Sequence, residues 1–181
     1  MTDAAGTRST DYARYLRDVP DFPEKGVLFK DITPLLQDPA AMRAAVQDLS
    51  ELVRPLRPDR IAAIESRGFL FGAPLALELG VGLIPVRKPG KLPWKTFEES
   101  YQLEYGSGTL QIHQDAARPG ERVLLVDDVL ATGGTAAATA ALVRRLGAEV
   151  VGAAFVVELE FLHGRQRLHG VETHSLVRIR N

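Results

Sequence analysis

The stretch VLLVDDVLATGGTAAA, residues 123–138, runs from four apolar residues through two acids to a spacer, a small-residue loop and an alanine run. Val123 to Asp127 reads as a strand buried on both faces, since a half-exposed strand would alternate apolar with polar residues where Val123 to Val126 is unbroken. Asp127 and Asp128 then stand at its end. Two adjacent carboxylates repel each other, so both need donors, and a ribose diol or a metal-bound sugar would supply them directly. Gly133 and Gly134 let the backbone come close to an anion. Thr132 and Thr135 add hydroxyl donors, and a helix over Thr135 to Leu146 points its unpaired N–H groups and positive dipole end at the same place. A buried strand feeding a helix through such a loop is the unit of a parallel α/β sheet.

The flanking segments repeat that alternation. Strands are expected at Arg60 to Glu65, Leu83 to Arg87 and Val150 to Val157, with a helix over Gly68 to Leu79. Asp38 and Pro39 supply an N-cap and a first-turn proline for a helix to about Val53, with Met42, Val46, Leu49 and Val53 on one face. A short helix is expected at Tyr12 to Asp18. After it, VPDFPEKGVLFKDITPLL, residues 19–36, is broken by Pro20, Pro23, Gly26 and Pro34. The fold class is α/β, a parallel sheet flanked by helices in one domain spanning residues 1–181. Ligands of such sheets sit beyond the carboxyl ends of the strands.

Composition bounds the rest. The chain has 181 residues, 22 Lys and Arg against 23 Asp and Glu, and no cysteine. No disulfide framework, thiolate metal site or cysteine nucleophile is possible, and a cytoplasmic setting is the expectation. A net charge of -1 gives no global field to attract nucleic acid or a membrane surface, so an anion must be held by a local cluster. The N-terminal MTDAAGTRST is no targeting signal, and the longest apolar run is too short to span a membrane. The histidines at 113, 163, 169 and 174 have no metal-ligand spacing. A GxxxxGK[ST] loop is absent, because Pro85 stands where the first glycine before Gly90-Lys91 would be.

Two further clusters follow strands. In ESRGFLFG, residues 65–72, Ser66, Arg67 and Gly68 open a helix, and an arginine beside a helix N-terminus makes a second anion site. In RKPGKLPWK, residues 87–95, Arg87, Lys88, Lys91 and Lys95 gather at and after a strand end. Lys91 to Gly108 reads as a flexible hairpin, long enough for a lid that excludes water.

The strand, acid pair and ATGGT loop resemble the 5-phosphoribosyl-1-pyrophosphate (PRPP) motif of the type I phosphoribosyltransferases. With VPDFPEKGVLFKDITPLL, ESRGFLFGAPLALELG, RKPGKLPWKT and VVELEFLHGRQRL, the likeness covers nearly the whole chain from Asp21 and is nearest to the adenine-specific branch of that family. The resemblance implies transfer of the 5-phosphoribosyl group from PRPP to adenine, giving AMP and pyrophosphate. It assigns Asp127 and Asp128 to the ribose hydroxyls, and Ala131, Thr132, Gly133, Gly134 and Thr135 to the 5′-phosphate. Ser66, Arg67, Gly68, Arg87, Lys88 and Lys91 fall to the pyrophosphate, in a loop where family members often carry a non-proline cis peptide; whether Glu65–Ser66 is cis is left open by the sequence. Residues about 20–37 become a hood in which Leu28, Phe29 and Lys30 meet adenine, the first and third through the backbone. Residues about 91–108 become the lid, with Tyr105 closing it and Glu104 handling the purine ring proton. Magnesium would be held chiefly by PRPP, with no direct protein cage, and the protein would be a homodimer. Glu65 and Lys30 stand where some members carry Asp and Arg. A phosphoribosyltransferase for another purine, or a non-catalytic PRPP-sensing regulator, uses the same motif; the regulators carry a DNA-binding domain for which 181 residues leave little room.

Overall fold

Strand pairing was traced in a computed structural model that describes residues 10–102 and 107–180. The chain divides into two compact units, Met1–Ala45 and Val46–Asn181.

In the first unit a 3-10 turn, Tyr12–Tyr15, precedes strands β1 (Arg17–Pro20) and β2 (Leu28–Asp31), which pair antiparallel with Asp18 opposite Lys30 and Val19 opposite Phe29. The helix expected over Tyr12 to Asp18 is therefore corrected. Asp11 caps only Ala13 N–H, and from Arg17 the backbone turns to ladder bonding with the Val27–Asp31 side of the proline-rich segment. A one-turn helix α1 (Thr33–Gln37) follows. Asp31 prepares it by accepting from both the N–H and the hydroxyl of Thr33. Helix α2 (Pro39–Val53) starts as expected, with the Asp38 carboxylate accepting from the Ala40 and Ala41 N–H groups, both at 2.9 Å.

The second unit is built on five strands: β3 (Arg60–Ile64), β4 (Gly82–Val86), β7 (Arg122–Leu130), β8 (Glu149–Leu159) and β9 (Thr173–Ile179). They form one parallel sheet in the order β4-β3-β7-β8-β9, and β5 (Thr96–Gln102) with β6 (Ser107–His113) makes a separate antiparallel hairpin. Helices α3 (Gly68–Leu79) and α4 (Gly134–Arg145) complete it. Alternation along β3 separates the helices. Ala62 and Ile64 join Leu142, Val143 and the alanines of α4 in the main core, whereas Gly72 of α3 lies against Ala63 and Ile61 on the opposite face. Helices thus cover both sides, as a parallel sheet requires.

Three boundaries differ from expectation. β7 does not end at Asp127 but continues to Leu130, because Val129 and Leu130 pair with Val157 and Glu158 of a longer β8. The hairpin expected over Lys91 to Gly108 starts at Thr96 and its second strand runs on to His113, with a polar first strand that pairs Phe97 with Ile112. β9 went unread because THSLVRI has an irregular apolar pattern; its partner β8 draws it into the sheet.

Candidate functional site

Three turns meet along the carboxyl edge of β4, β3 and β7, which are neighbours in the sheet. At about 4.8 Å per strand, the turns after β4 and β7 lie roughly 10 Å apart with the turn after β3 between them.

The acid pair lies within β7, close to its carboxyl end. Asp128 is 3% exposed, and its Oδ2 lies 2.5 Å from Nε of Arg67. Asp127 Oδ1 accepts the Asp128 N–H at 2.9 Å. Burial, and then the neighbouring Asp128 charge, push the Asp127 carboxyl well above its usual value, and Arg67 only partly counters this. Beyond Leu130 the chain bends into the loop, with Gly133 at φ +79° as the residue before α4. No side chain caps that helix, so its first N–H groups stay open to a ligand. Asp127, Val129 to Ala136 and Phe155 line a pocket of about 60 Å³ there. The loop predicted to hold a phosphate therefore shares a cavity with one of the acids predicted to hold the sugar.

After β3 the Glu65–Ser66 peptide, left open by the sequence, is cis. Gly68 has a packing reason to be glycine: a Cβ there would stand 2.7 Å from the Val126 carbonyl oxygen and 3.0 Å from Asp127 Oδ1. The start of α3 is thus pressed onto β7 beside the acid pair. Its Phe69 and Leu70 N–H groups already bond to the Ser66 and Arg67 carbonyls at 3.2 and 3.1 Å. Positive charge at this turn comes from the half-exposed Arg67 guanidinium rather than from the helix end.

After β4 the basic segment is held by a carboxylate from the next strand. Glu65 accepts from Nε of Arg87 at 3.1 Å and from the Lys88 N–H at 2.9 Å. Burial opposes its charge, but the Lys88 N–H and the Arg87 guanidinium outweigh that and hold its carboxyl below the usual value. Arg87 also donates to the Lys91 carbonyl at 3.3 Å, leaving the Lys88 and Lys91 side chains exposed.

Known proteins with this arrangement were found at every level of comparison. A phosphoribosyl transferase domain matches residues 32–172. The adenine phosphoribosyltransferase of Desulfitobacterium hafniense is 55% identical over 171 residues, 94% of this chain and 99% of that protein. The crystal structure of the Thermoanaerobacter pseudethanolicus adenine phosphoribosyltransferase superposes with a TM-score of 0.91 at 51% identity, covering 93% of this chain and 98% of that one. The chain belongs to the adenine phosphoribosyltransferase family. A Saccharomyces cerevisiae member complexed with an imino-altritol bisphosphate and adenine superposes with a TM-score of 0.84 at 42% identity, over 91% of this chain and 98% of that one.

For an adenine phosphoribosyltransferase, the structure brings Ser66, Arg67, Gly68, Arg87, Lys88, Asp127, Asp128 and residues 131–135 to one sheet edge. Leu28, Phe29 and Lys30 lie on β2 of the first unit. There Lys30 Nζ is taken by Asp18 at 2.6 Å, Leu28 is 49% exposed, and the Phe29 ring meets Phe22 edge-on at 5.1 Å. Glu104 and Tyr105 fall outside the described residues.

Two contributors escaped the sequence reading. Glu65 was noted only as a variant position, yet it anchors Arg87 and Lys88; a lone carboxylate closing an apolar strand was the available signal. Gln111 of β6 exchanges backbone hydrogen bonds with Arg87 at 2.9 and 2.6 Å, and its side-chain oxygen accepts the Gly90 N–H at 3.1 Å. Its amide also donates to Glu98. Nothing local marks it, since its partners lie 13 or more residues away.

Proposed function

We propose that the chain transfers the 5-phosphoribosyl group of PRPP to adenine, releasing pyrophosphate and forming AMP. The observation that carries this reading is the side-by-side placement of a basic turn, an arginine turn and an acid pair with a phosphate-sized loop on the adjoining ends of β4, β3 and β7. A substrate with a phosphate at each end of a ribose needs that order of charges.

The open N–H groups of α4 and residues 131–135 take the 5′-phosphate. Asp127 and Asp128 accept from the 2′ and 3′ hydroxyls and fix the ring. As the bond from C1′ to the pyrophosphate oxygen breaks, positive charge grows on the sugar and negative charge on the leaving group. Arg67, Arg87 and Lys88, with Ser66, Gly68 and Lys91, meet the leaving group, and cations already in place favour the transition state over the ground state. Adenine attacks C1′ from the opposite face, so configuration inverts. Glu104 receives the ring proton and Tyr105 belongs to the lid, while Leu28, Phe29 and Lys30 read the base. Among the described residues no three His, Asp or Glu side chains converge as a metal cage. A magnesium ion bound with PRPP would be held chiefly by PRPP's own oxygens and would neutralise pyrophosphate charge. No helix among the described residues is long and apolar enough to cross a membrane. The chain's lack of cysteine supports a cytoplasmic setting, and exposed Leu70 and Leu77 on α3 and Leu83 on β4 support a homodimer.

One assay tests the reading. Incubation with PRPP and magnesium, following pyrophosphate release, should give turnover with adenine and little with guanine or hypoxanthine. Release with guanine but not adenine would overturn the base assignment. None with any base would favour a PRPP-sensing regulator.

A further inference from the structure

Strand β8 carries a charge that the proposed reaction does not use. Glu158 pairs in register with Leu130, the last residue before the loop, and is 3% exposed. A carboxylate so buried persists only when its oxygens are fully paired. It accepts from Arg165 through Nε at 2.8 Å and Nη2 at 2.5 Å, and from the Ser175 hydroxyl at 2.8 Å; Arg178 lies 3.7 Å away. Arg165 donates its remaining terminal nitrogen to the Thr173 carbonyl at 2.7 Å. One guanidinium is therefore fixed to both β8 and β9.

The residue before it is Gly164, which opens the 3-10 turn Gly164–Arg167 and is buried. A Cβ on Gly164 would overlap the Ala131 carbonyl oxygen and stand 2.9 Å from the Gly133 nitrogen. The contact is reciprocal. A Cβ on Gly133 would overlap the Gly164 carbonyl oxygen and stand 3.0 Å from its Cα. Two glycine backbones thus touch with no flexible side chain between them to absorb an error. Any displacement of Gly164 passes directly to residues 131–133, and preorganised sites lose affinity when donors move by even about half an ångström.

We propose that Glu158 and Arg165, acting through Gly164, set the position of the 131–135 loop and thereby the affinity for the 5′-phosphate of PRPP and AMP. They are positioning residues and touch no substrate. The inference rests on the reading of that loop as the 5′-phosphate cradle.

The test compares wild-type protein with Gly164→Ala and Arg165→Lys, measuring KM for PRPP at saturating adenine, KM for adenine at saturating PRPP, and AMP affinity by calorimetry. Thermal midpoints are recorded alongside. Gly164→Ala should raise KM for PRPP and weaken AMP at least tenfold while KM for adenine stays within twofold. Arg165→Lys, which keeps the charge but not the fork, should move the first two in the same direction by a smaller factor. Should Gly164→Ala fail to fold, Arg165→Lys decides alone. Unchanged PRPP and AMP constants, or an equal loss for adenine, overturn the positioning role. Wild-type protein that binds neither PRPP nor AMP overturns the cradle reading itself.

Discussion

Asp127 carries the clearest conflict between function and stability at the scale of one residue. Burial and the adjacent Asp128 charge raise its folded-state carboxyl above the unfolded value, so the folded protein binds that proton more tightly than the unfolded chain does. Its contribution to stability is neutral below the unfolded value and becomes steadily more unfavourable as pH rises through the folded one. Asp127→Asn removes the charge while keeping an oxygen for the Asp128 N–H. Thermal melts of the ligand-free protein should show a higher midpoint for this variant at pH 7 and little difference from wild type near pH 3.5. The same substitution should cost turnover, and Asp127→Asn with Asp128→Asn should reduce it by two orders of magnitude or more without unfolding the protein. Wild-type kinetics in the double variant would remove both acids from the mechanism. Asp31 shows the opposite sign. The Thr33 N–H, the Arg17 guanidinium and the Thr33 hydroxyl lower its carboxyl to about 2. Its stabilising share is present above the unfolded value and disappears as pH falls toward 2, so circular dichroism on acid titration should report loss of that share only below about pH 4.

The hairpin shows, at the scale of elements, how a site is assembled from parts that local pattern does not reveal. Gln111 joins β6 to the basic turn through its backbone and its side chain at once. Gln111→Ala leaves the Gly90 N–H without its acceptor and loosens the turn at Gly90, while the backbone bonds to Arg87 remain. The expected outcome is a several-fold higher KM for PRPP with a stability loss of about 1–3 kcal/mol by denaturant titration; an unaltered KM would show that the turn keeps its shape without Gln111. The contrast with residues 123–138 is physical. There the apolar run, the acids, the glycines and the helix are contiguous, so strand, loop and helix are read from adjacent letters. Glu65, Gln111 and Glu158 act through partners 22 or more, 13 or more and 7 to 17 residues away, and only strand pairing brings those together. The same reason explains β7, whose end was placed at Asp127. A charged pair normally stops an apolar strand, but β8 is long enough to keep pairing past it. The parallel sheet with helices on both faces agrees with expectation because it follows from the alternation of apolar runs.

For the whole molecule, near-zero net charge conceals segregation, with Arg67, Arg87 and Lys88 on one stretch of the sheet edge and the acid pair beside them. Apolar surface is segregated too. Helix α3, GFLFGAPLALEL, is apolar nearly all round, which suits a helix covered on both sides rather than one facing water. Yet Leu77 is 85% exposed, Leu70 44% and, on the edge strand β4, Leu83 40%. Removing such side chains from water is worth about 1.5–3 kcal/mol each when burial is complete, and a second copy of the chain would cover them by twofold symmetry. Light scattering on the purified protein should therefore give twice the 19.8 kDa chain mass. Leu77→Lys places a charge in the middle of that surface without disturbing a buried contact, so it should shift the protein toward monomer while the melting of the monomer unit itself changes little. A monomeric wild-type protein, or a Leu77→Lys variant that stays dimeric, would assign the apolar face of α3 no role in assembly.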